Sequence, residues 1–371
     1  MRICIDIQPA VAQRAGVGRY TKHLVEHLGA FAGEDAVRLF YFDFKGRGLS
    51  FQAPGTVPCP CRHIPGRFIQ QAWKRLSWPP YEWFAGHADL YHFPNFVIPT
   101  VHSGRTVVTI HDMSFFRFPQ FAEERNLRYL MSMIPKTVAR ADAILTDSRF
   151  SAAEIADCLK VDPARIHAVH LGIAPECRRA SHETIASLRH RLGIGKPYLL
   201  TVGTVEPRKN LEFLLEVFDR LPEFDGDLVI AGMRGWKFEP ILRRLRESPR
   251  AGNIRYLEYV EDKDLPALYS GAELFITTSF YEGFGFPPLE AMACGTPVVS
   301  STGGSLAEVL GPNAVTLDSF DAEAWVHALT RLLADDARRR TLAQAGPAHA
   351  AQYDWRETAR RTFEIYRQVL A

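Results

Sequence analysis

Long apolar runs and a large excess of one charge are both absent from this chain. No apolar stretch approaches the roughly 20 residues that a membrane-spanning helix needs, so we do not expect an integral membrane protein. The formal net charge is +2, and composition therefore gives no argument for nucleic-acid binding. Strand-like residues follow Met1 at once, which leaves no room for a secretory signal peptide.

Cysteine is also sparse, with six residues scattered through the sequence. Cys59 and Cys61 form a Cys-Pro-Cys pair, but a zinc site needs a second pair nearby and none follows. We therefore interpret this pair as part of a plain loop. The cysteines give no support for a disulfide-stabilised secreted domain, and we expect a reduced, cytoplasmic protein.

The chain does contain an alternation of short apolar runs with helical patterns, which continues almost from end to end. Its hydrophobic content of 47% and charged content of 23% are typical of a globular protein. A length of 371 residues allows two domains with separate cores. The alternation predicts an α/β fold with parallel sheets that are covered by helices on both faces.

The stretch at residues 278–299 carries the densest set of functional signals. It follows a buried-strand pattern at residues 274–276, and its prolines predict a helix that begins near Pro288. The free N–H groups of a helix start attract anions. Gly285 and Phe286 stand just before that start and are candidate ligand contacts, because glycine lets the backbone approach a ligand closely.

Two carboxylates belong to the same stretch. Glu282 lies on the predicted loop, and Glu290 lies on the first turn of the predicted helix. Acids beside an anion site suit a ligand that also offers hydroxyls, as a sugar nucleotide does. The alternative is that Glu282 is a solvated loop acid and that Glu290 merely favours a helix N-terminus.

The block GTVEPRKN begins at Gly203, between a predicted strand at residues 198–202 and a helix from Leu211. Its adjacent cations, Arg208 and Lys209, direct charge-assisted donors to the same place as the helix N-terminus. The block therefore predicts a site for a phosphate-bearing ligand. The alternative is a solvated charge pair on a loop.

Two features of the N-terminal half also indicate ligands. The loop with Gly16 and Gly18 lacks the third glycine of a dinucleotide fingerprint, which disfavours NAD, yet its N–H groups suit a phosphate or sugar. His111 ends a predicted strand at residues 106–110, where parallel sheets carry ligands. Each feature has a structural alternative: a glycine-rich turn, and a histidine that is held by Asp112 or by backbone.

Basic and aromatic residues interleave at residues 62–84. The apolar positions from Phe68 to Leu76 follow helical spacing. Two interpretations are open: a helix that packs into the N-terminal core, and a basic, aromatic surface that contacts anionic lipid headgroups.

Three of these segments together resemble one family. The glutamate pair within EGFGFPPLEAMACGTPVV, the block GTVEPRKN and the run TIHDMSFFRFP are similar to motifs of the retaining glycosyltransferase family 4. The resemblance implies the GT-B fold, in which two Rossmann-like domains face a central cleft. It assigns residues 1–175 to the acceptor and residues 176–354 to the nucleotide sugar, with a helix at residues 355–371 that returns to the first domain.

The resemblance also implies roles for single residues. His111 would hold the transferred sugar, while Arg208 and Lys209 would bind the donor diphosphate in place of a metal ion. Glu282 would contact a hydroxyl of the transferred sugar, and Glu290 would bind the ribose.

The implied activity is retaining transfer of a hexose from a nucleotide sugar to a hydroxyl of a growing, lipid-linked bacterial glycan. GDP-mannose or GDP-rhamnose is the favoured donor, because EPRKN and HDMSFFRFP are most like the mannosyl- and rhamnosyltransferases of O-antigen assembly. No metal, other cofactor or nucleic-acid partner is implied, and Asp225-Gly226-Asp227 precedes a strand instead of following one as a metal site would. The protein would work in the cytoplasm, with peripheral contact at the inner face of the cell membrane left open.

Two other classes of function stay open beside this one. The first is a sugar-nucleotide-binding protein without activity. The second is another GT-B enzyme, an epimerase or a phosphorylase, although no segment resembles the pyridoxal-binding site of a phosphorylase.

Overall fold

The structure, a computed structural model, describes residues 1–12, 16–221 and 224–371. The chain forms two compact units. Unit 1 contains Met1–Phe116, Glu124–Gly172 and Tyr353–Ala371, and unit 2 contains Arg117–Glu123 and Ile173–Gln352.

Unit 1 is built on a parallel sheet of seven strands within the described residues. These are β1 (Arg2–Asp6), β2 (Ala36–Phe42), β3 (Val57–Cys61), β4 (Leu90–Phe93), β5 (Arg105–Thr109), β6 (Ala143–Thr146) and β7 (Ile166–Ala168). Their order is β3-β2-β1-β4-β5-β6-β7. Strands β4 and β6 are buried along their whole length, as expected of apolar runs in a sheet that is covered on both faces.

The connections of unit 1 are mainly helical. They contain α1 (Gln8–Ala12), α2 (Val17–Leu28), α3 (Gly66–Leu76), α4 (Glu82–Ala85), α5 (Ser114–Arg117), α6 (Glu124–Arg140) and α7 (Arg149–Leu159). The predicted parallel α/β organisation is therefore confirmed in this unit.

The interpretation of Cys59 and Cys61 as loop residues is wrong. Both lie in β3, which pairs with β2 at the edge of the sheet. Proline has no N–H to donate and is tolerated on edge strands, so Pro58 and Pro60 do not prevent the pairing. The two thiols pack against the core of unit 1.

Unit 2 repeats this organisation with six parallel strands in the part of the chain that the structure describes. They are β8 (Tyr198–Val202), β9 (Asp227–Ala231), β10 (Ile254–Leu257), β11 (Leu274–Thr277), β12 (Val298–Ser301) and β13 (Val315–Leu317). Their order is β10-β9-β8-β11-β12-β13. The helices are α8 (His182–Arg191), α9 (Leu211–Asp219), α10 (Glu239–Glu247), α11 (Leu265–Ser270), α12 (Phe286–Ala293), α13 (Leu306–Leu310), α14 (Ala322–Ala334) and α15 (Asp336–Ala350).

Helix α9 shows how sequence spacing builds the core of unit 2. Leu211, Leu214, Leu215 and Phe218 recur at the spacing of one helical face, and all four are buried. The face packs on the sheet core that includes strand residues of β8 and β11. Because α9 is fixed in this way, the loop immediately before it, which carries Arg208 and Lys209, is fixed as well.

The last helix, α16 (Trp355–Leu370), belongs to unit 1 and packs against α2. The hydroxyl of Thr358 donates to the backbone oxygen of His170 at 2.8 Å. Deeper in the core, the hydroxyl of Tyr366 lies 2.6 Å from Nδ1 of His92. Burial lowers the pKa of His92 to about 3, so this imidazole is neutral and serves the core.

A short segment from the first half of the chain, Arg117–Glu123, belongs to unit 2. The ring of Phe121 stacks on Phe280 with centroids 5.1 Å apart. The ammonium group of Lys237 donates to the backbone oxygen of Gln120 at 2.7 Å. The sequence did not indicate this, because the segment lies in the connection between β5 and β6, two strands of unit 1.

Candidate functional site

The two strongest sequence motifs lie at one place in unit 2. The strand order changes direction between β8 and β11, which are hydrogen-bonded neighbours. In open parallel sheets, ligands bind outside the carboxyl ends of the strands at such a switch point. The loops that leave these ends, residues 203–210 and 278–285, contain the GTVEPRKN block and Glu282. Topology therefore supports a ligand site that sequence analysis placed there on other grounds.

The guanidinium of Arg208 donates hydrogen bonds to three acceptors. Its Nη1 donates to Oε2 of Glu282 at 2.9 Å and to the backbone oxygen of Tyr281 at 2.5 Å. Its Nη2 donates to Oε1 of Glu206 at 2.6 Å. A planar fork with acceptors on both terminal nitrogens has a defined orientation, so Arg208 presents a fixed cation and not a mobile surface charge.

Lys209 approaches Glu282 from the other side. Its Nζ donates to Oε1 of Glu282 at 2.6 Å, and the hydroxyl of Ser279 donates to the same oxygen at 2.6 Å. Gly203 lies beside the lysine, since a Cβ at that position would come within 3.3 Å of its Cε. The structure thus brings together four residues that the sequence selected: Gly203, Arg208, Lys209 and Glu282.

The backbone of Glu282 is fixed by the neighbouring loop. The amide and hydroxyl of Ser305 donate to the Glu282 carbonyl at 2.9 Å and 3.1 Å. Gly304 has a φ of 70°, and a Cβ there would lie 2.3 Å from the same carbonyl. Glycine is therefore required at this close approach.

The four charged groups of this cluster (Glu206, Arg208, Lys209 and Glu282) sum to zero formal charge. Burial alone would raise the pKa of the Glu282 carboxyl, but the charges of Arg208 and Lys209 and the hydrogen bonds from Lys209 and Ser279 lower it to about 2. Glu282 is therefore ionised at neutral pH. The residue is 9% exposed, which excludes the alternative of a solvated loop acid.

The helix after this loop starts earlier than predicted. Gly285 has a φ of 99° and caps α12, so the helix begins at Phe286 and not near Pro288. Glu290 consequently lies in the second turn, and its placement on the first turn was wrong. It is 1% exposed and accepts a hydrogen bond from the Tyr269 hydroxyl at 2.9 Å. A buried, hydrogen-bonded carboxylate is not explained by a preference for helix starts.

In unit 1, His111 follows β5 and forms a buried pair with Asp147, which follows β6. Nδ1 lies 2.9 Å from Oδ2 of Asp147, and Nε2 lies 3.0 Å from the backbone oxygen of Pro94. An ionised Asp147 and the Pro94 carbonyl both accept hydrogen bonds, so this geometry favours an imidazole with both ring nitrogens protonated. Burial works against this, but the Asp147 carboxylate raises the pKa of His111 above its ordinary value.

This arrangement corrects the alternative in which Asp112 holds His111. The Asp112 carboxylate instead accepts hydrogen bonds from the amide and hydroxyl of Ser114, at 2.9 Å and 2.7 Å. It thereby stabilises the start of α5. The imidazole of His111 is held by one charged and one backbone acceptor, which fixes the loop after β5 to the ends of β4 and β6.

The glycine loop of the N-terminal half reaches His111 through an aromatic contact. Gly16 precedes α2 with a φ of 55°, and Gly18 is buried within the first turn. Two residues later, the ring of Tyr20 meets His111 edge-on with centroids 4.8 Å apart. The Tyr20 hydroxyl lies 3.0 Å from Oγ1 of Thr109. Gly16 and Gly18 thus begin the helix that supports His111; residues 13–15 lie outside the described residues.

The acidic pair around Gly226 has other partners. Asp227 forms an ion pair with Arg255, and Asp225 with Lys196 at 2.6 Å. Both acids stand at the amino end of β9, away from the switch point. In the described part of the chain, no group of three or more His, Cys, Asp or Glu side chains is arranged to hold a metal ion.

Sequence reasoning missed three residues of the cluster and its surroundings. Glu206 holds Arg208, Ser279 holds Glu282, and Tyr269 holds Glu290. The sequence contains a signal for Glu206, because an acid two residues before an arginine in a strand-to-helix loop is positioned to pair with it. The sequence contains no signal for Tyr269, since its position beside Glu290 depends on the packing of α11 against α12.

Comparison with known proteins agrees with these observations. Residues 14–176 match the family "Glycosyltransferase Family 4", and residues 186–349 match "Glycosyl transferases group 1". The O-antigen chain mannosyltransferase B of Escherichia coli is 32% identical over 391 residues, which cover 99% of this chain and 100% of that protein.

Solved structures show the same fold. Sucrose-phosphate synthase from Thermosynechococcus elongatus superimposes with a TM-score of 0.78 at 22% identity, covering 99% of this chain and 98% of that chain. Anabaena HepE in complex with UDP-glucose gives a TM-score of 0.73 at 17% identity, with 99% of both chains covered. The two Rossmann-like units match GT-B glycosyltransferases, and the predicted fold is confirmed. The chain belongs to the glycosyltransferases, and within them to family 4.

Proposed function

We propose that this protein transfers mannose, with retention of configuration, from GDP-mannose to a hydroxyl of a growing O-antigen-type glycan. The observation that carries the proposal is the pair of cations, Arg208 and Lys209, fixed at the carboxyl ends of β8 and β11. Mannose as the sugar is supported by full-length similarity to a relative that is named as a mannosyltransferase. GDP and retention are expectations from the family resemblance.

The proposed chemistry is differential stabilisation of the leaving group. As the bond between the sugar C1 and the diphosphate oxygen breaks, negative charge grows on the diphosphate. Arg208, Lys209 and the N-terminus of α12 would meet that charge without a metal ion. The acceptor oxygen attacks C1 from the same face and its proton passes to the departing phosphate oxygen, which preserves the configuration. Glu282 would contact a sugar hydroxyl, and Glu290 would bind the ribose.

His111 is proposed as a positioning element for the transferred sugar and not as a proton carrier. Both of its nitrogens are occupied by acceptors, so neither can take a proton from the acceptor hydroxyl. Its two hydrogen bonds instead fix the loop after β5, which presents backbone groups.

The proposal is tested by incubating the purified protein with GDP-mannose and a lipid-linked mannan acceptor in excess EDTA. We expect turnover to persist in EDTA, because side chains and helix N–H groups neutralise the diphosphate. Proton NMR of the product should show the anomeric configuration of the donor. UDP-glucose under the same conditions serves as the donor control. Activity that EDTA abolishes and Mg²⁺ restores would contradict metal independence, and an inverted product would contradict retention.

We further propose that the surface around α3 contacts an anionic membrane. No acidic residue occurs between Phe44 and Tyr81, whereas six lysines and arginines do. The large apolar side chains that are more than half exposed in this region are Phe44, Val57, Phe68, Leu76, Trp78 and Trp83. Such a mixture of cations and exposed aromatics suits the headgroup region of an anionic bilayer.

Helix α3 has one face that packs against the core, as the first interpretation expected, and one exposed face that is available for the proposed membrane contact. Ile69 and Trp73 pack against the core of unit 1, and the indole of Trp73 donates to the Pro79 oxygen at 2.6 Å. Phe68 and Leu76 face away from that core. A helix that could span the bilayer is not found among the described residues, so the proposed contact is interfacial.

Charge reversal tests the membrane proposal. We expect the triple substitution Arg67→Glu, Lys74→Glu and Arg75→Glu to release the protein from liposomes of phosphatidylglycerol and phosphatidylcholine, since each basic residue contributes about 1 kcal/mol at an anionic surface. Substitution of the exposed Arg243, Arg246 and Arg340 by glutamate changes the net charge equally and should leave co-sedimentation intact. Equal loss in both variants would indicate a net-charge effect, and a wild type that never co-sediments would refute the contact.

A further inference from the structure

Glu206 is a deeply buried acid that contacts Arg208 directly and has no role in the proposed chemistry. It is 1% exposed, and its Oε1 lies 2.6 Å from Nη2 of Arg208. A buried carboxylate is costly unless it is paired and hydrogen-bonded. The fold therefore maintains this acid beside a residue that is needed as a cation, although a negative charge there weakens the attraction of a diphosphate.

The backbone around Glu206 is held rigidly. Val205 donates its amide to the Met233 oxygen at 2.9 Å, and Gly235 returns a bond to the Val205 oxygen at 3.0 Å. Directly after it, the turn Pro207–Lys209 is closed by the Lys209 amide, which donates to the Glu206 oxygen at 3.1 Å. Glu206 is thus attached to the backbone that extends β8 and β9 at their carboxyl ends, whereas Arg208 lies on the turn that follows.

We propose that Glu206 is a positioning residue that holds the guanidinium of Arg208 in the orientation required for the donor diphosphate; this rests on the proposed role of Arg208. Glu206 and Glu282 both bind Arg208, but they differ in their other contacts. Glu282 also binds Lys209 and Ser279 and lies at the loop that faces the ligand site. Glu206 accepts from Nη2 of Arg208, whereas Glu282 accepts from Nη1, and Glu206 is buried. In this proposal Glu206 therefore stays bound to the guanidinium while Arg208 contacts the phosphate.

Two substitutions separate positioning from charge. Glu206→Gln keeps an oxygen acceptor for Nη2 and removes the negative charge, so GDP affinity should equal or exceed that of the wild type. Glu206→Ala removes the acceptor of Nη2 and leaves the guanidinium held through Nη1, and GDP affinity should fall about 10-fold, the value of one charge-assisted hydrogen bond. If Glu206 acted merely as a nearby negative charge, both substitutions would strengthen GDP binding.

The experiment is calorimetric titration of GDP and of guanosine into the wild type, Glu206→Gln, Glu206→Ala, Arg208→Ala and the double variant Glu206→Ala/Arg208→Ala. We expect guanosine affinity to be equal in all five proteins, because a purely structural defect would change it and an effect through Arg208 would not. In the Arg208→Ala background, Glu206→Ala should cause no further loss of GDP affinity, since residues that act through one another are not additive.

The outcomes separate this proposal from the proposed function. Loss of GDP affinity in Arg208→Ala but not in Glu206→Ala would overturn the positioning role alone, as would additive losses of GDP affinity in the double variant. Equal GDP affinity of the wild type and Arg208→Ala would remove Arg208 from the diphosphate site and the proposal with it. If Glu206→Ala does not fold, Glu206→Asp gives the same test, because its shorter carboxylate retracts from Nη2 and should weaken GDP binding several-fold while leaving guanosine unaffected.

Discussion

Substitution of Arg208 by alanine is expected to lower kcat by about 10²–10³-fold, the usual cost of removing one preorganised donor from a developing anion. The guanidinium is fixed before the donor arrives, by two carboxylates and the Tyr281 carbonyl. In the proposed mechanism its interaction with the diphosphate strengthens as the glycosidic bond breaks, and an interaction that is stronger in the transition state acts on kcat.

Steady-state kinetics with GDP-mannose measure this effect. The matched control is Arg246→Ala, which removes an exposed arginine from the same unit and should leave kcat unchanged. Thermal unfolding of both variants separates catalysis from stability, because Arg208→Ala leaves Glu206 buried without its cation and should lower the melting temperature. A kcat within twofold of the wild type would show that Arg208 does not meet the leaving group.

Glu282→Gln is expected to give the second large effect, a fall in kcat of about 10²-fold with little change in GDP affinity. The carboxylate bridges Arg208 and Lys209, and an amide places an N–H₂ group against one of these cations. Orientation of the cations is therefore lost, but removal of a negative charge favours the bound diphosphate. In GDP binding these two effects oppose each other, so the affinity changes little. In the transition state the lost orientation and the lost sugar contact both raise the barrier, so kcat falls.

Glu290→Gln provides the contrast. Its carboxylate is proposed to bind the ribose, which is present in donor, transition state and free GDP alike, so the variant should weaken GDP binding by about 1–3 kcal/mol and change kcat little. Calorimetry with GDP beside steady-state kinetics measures both variants. The roles are wrongly assigned if Glu282→Gln abolishes GDP binding while Glu290→Gln preserves it.

The buried strands were predictable from sequence, because a short, continuous apolar run without alternating polar residues is typical of a strand that is buried on both faces. The run at Leu274–Thr277 is such a case, and it forms the fully buried β11. The edge strand β3 was not predictable, because its Cys-Pro-Cys sequence lacks both the apolar run and the N–H groups of a central strand. Its pairing with β2 depends on tertiary contacts that the local sequence does not show.

The site was predictable at the level of motifs and not at the level of contacts. The adjacent cations Arg208 and Lys209 were identified separately from Glu282, and their contact with it depends on β8 and β11 being neighbours. The start of α12 was missed by two residues, because the proline signal does not show that Gly285 adopts a positive φ. The pairing of His111 with Asp147 required the register of β5 against β6.

The most direct test of the account is the contribution of the phosphate groups to ligand affinity, measured by calorimetric titration of GDP, GMP and guanosine into the wild-type protein in EDTA. If the cations at the ends of β8 and β11 bind the donor diphosphate, GDP should bind at least about 10-fold more tightly than GMP, since a charge-assisted contact contributes roughly 1.5–3 kcal/mol. The advantage should disappear in the double variant Arg208→Ala/Lys209→Ala. Equal affinities for GDP and GMP in the wild type would contradict the central claim.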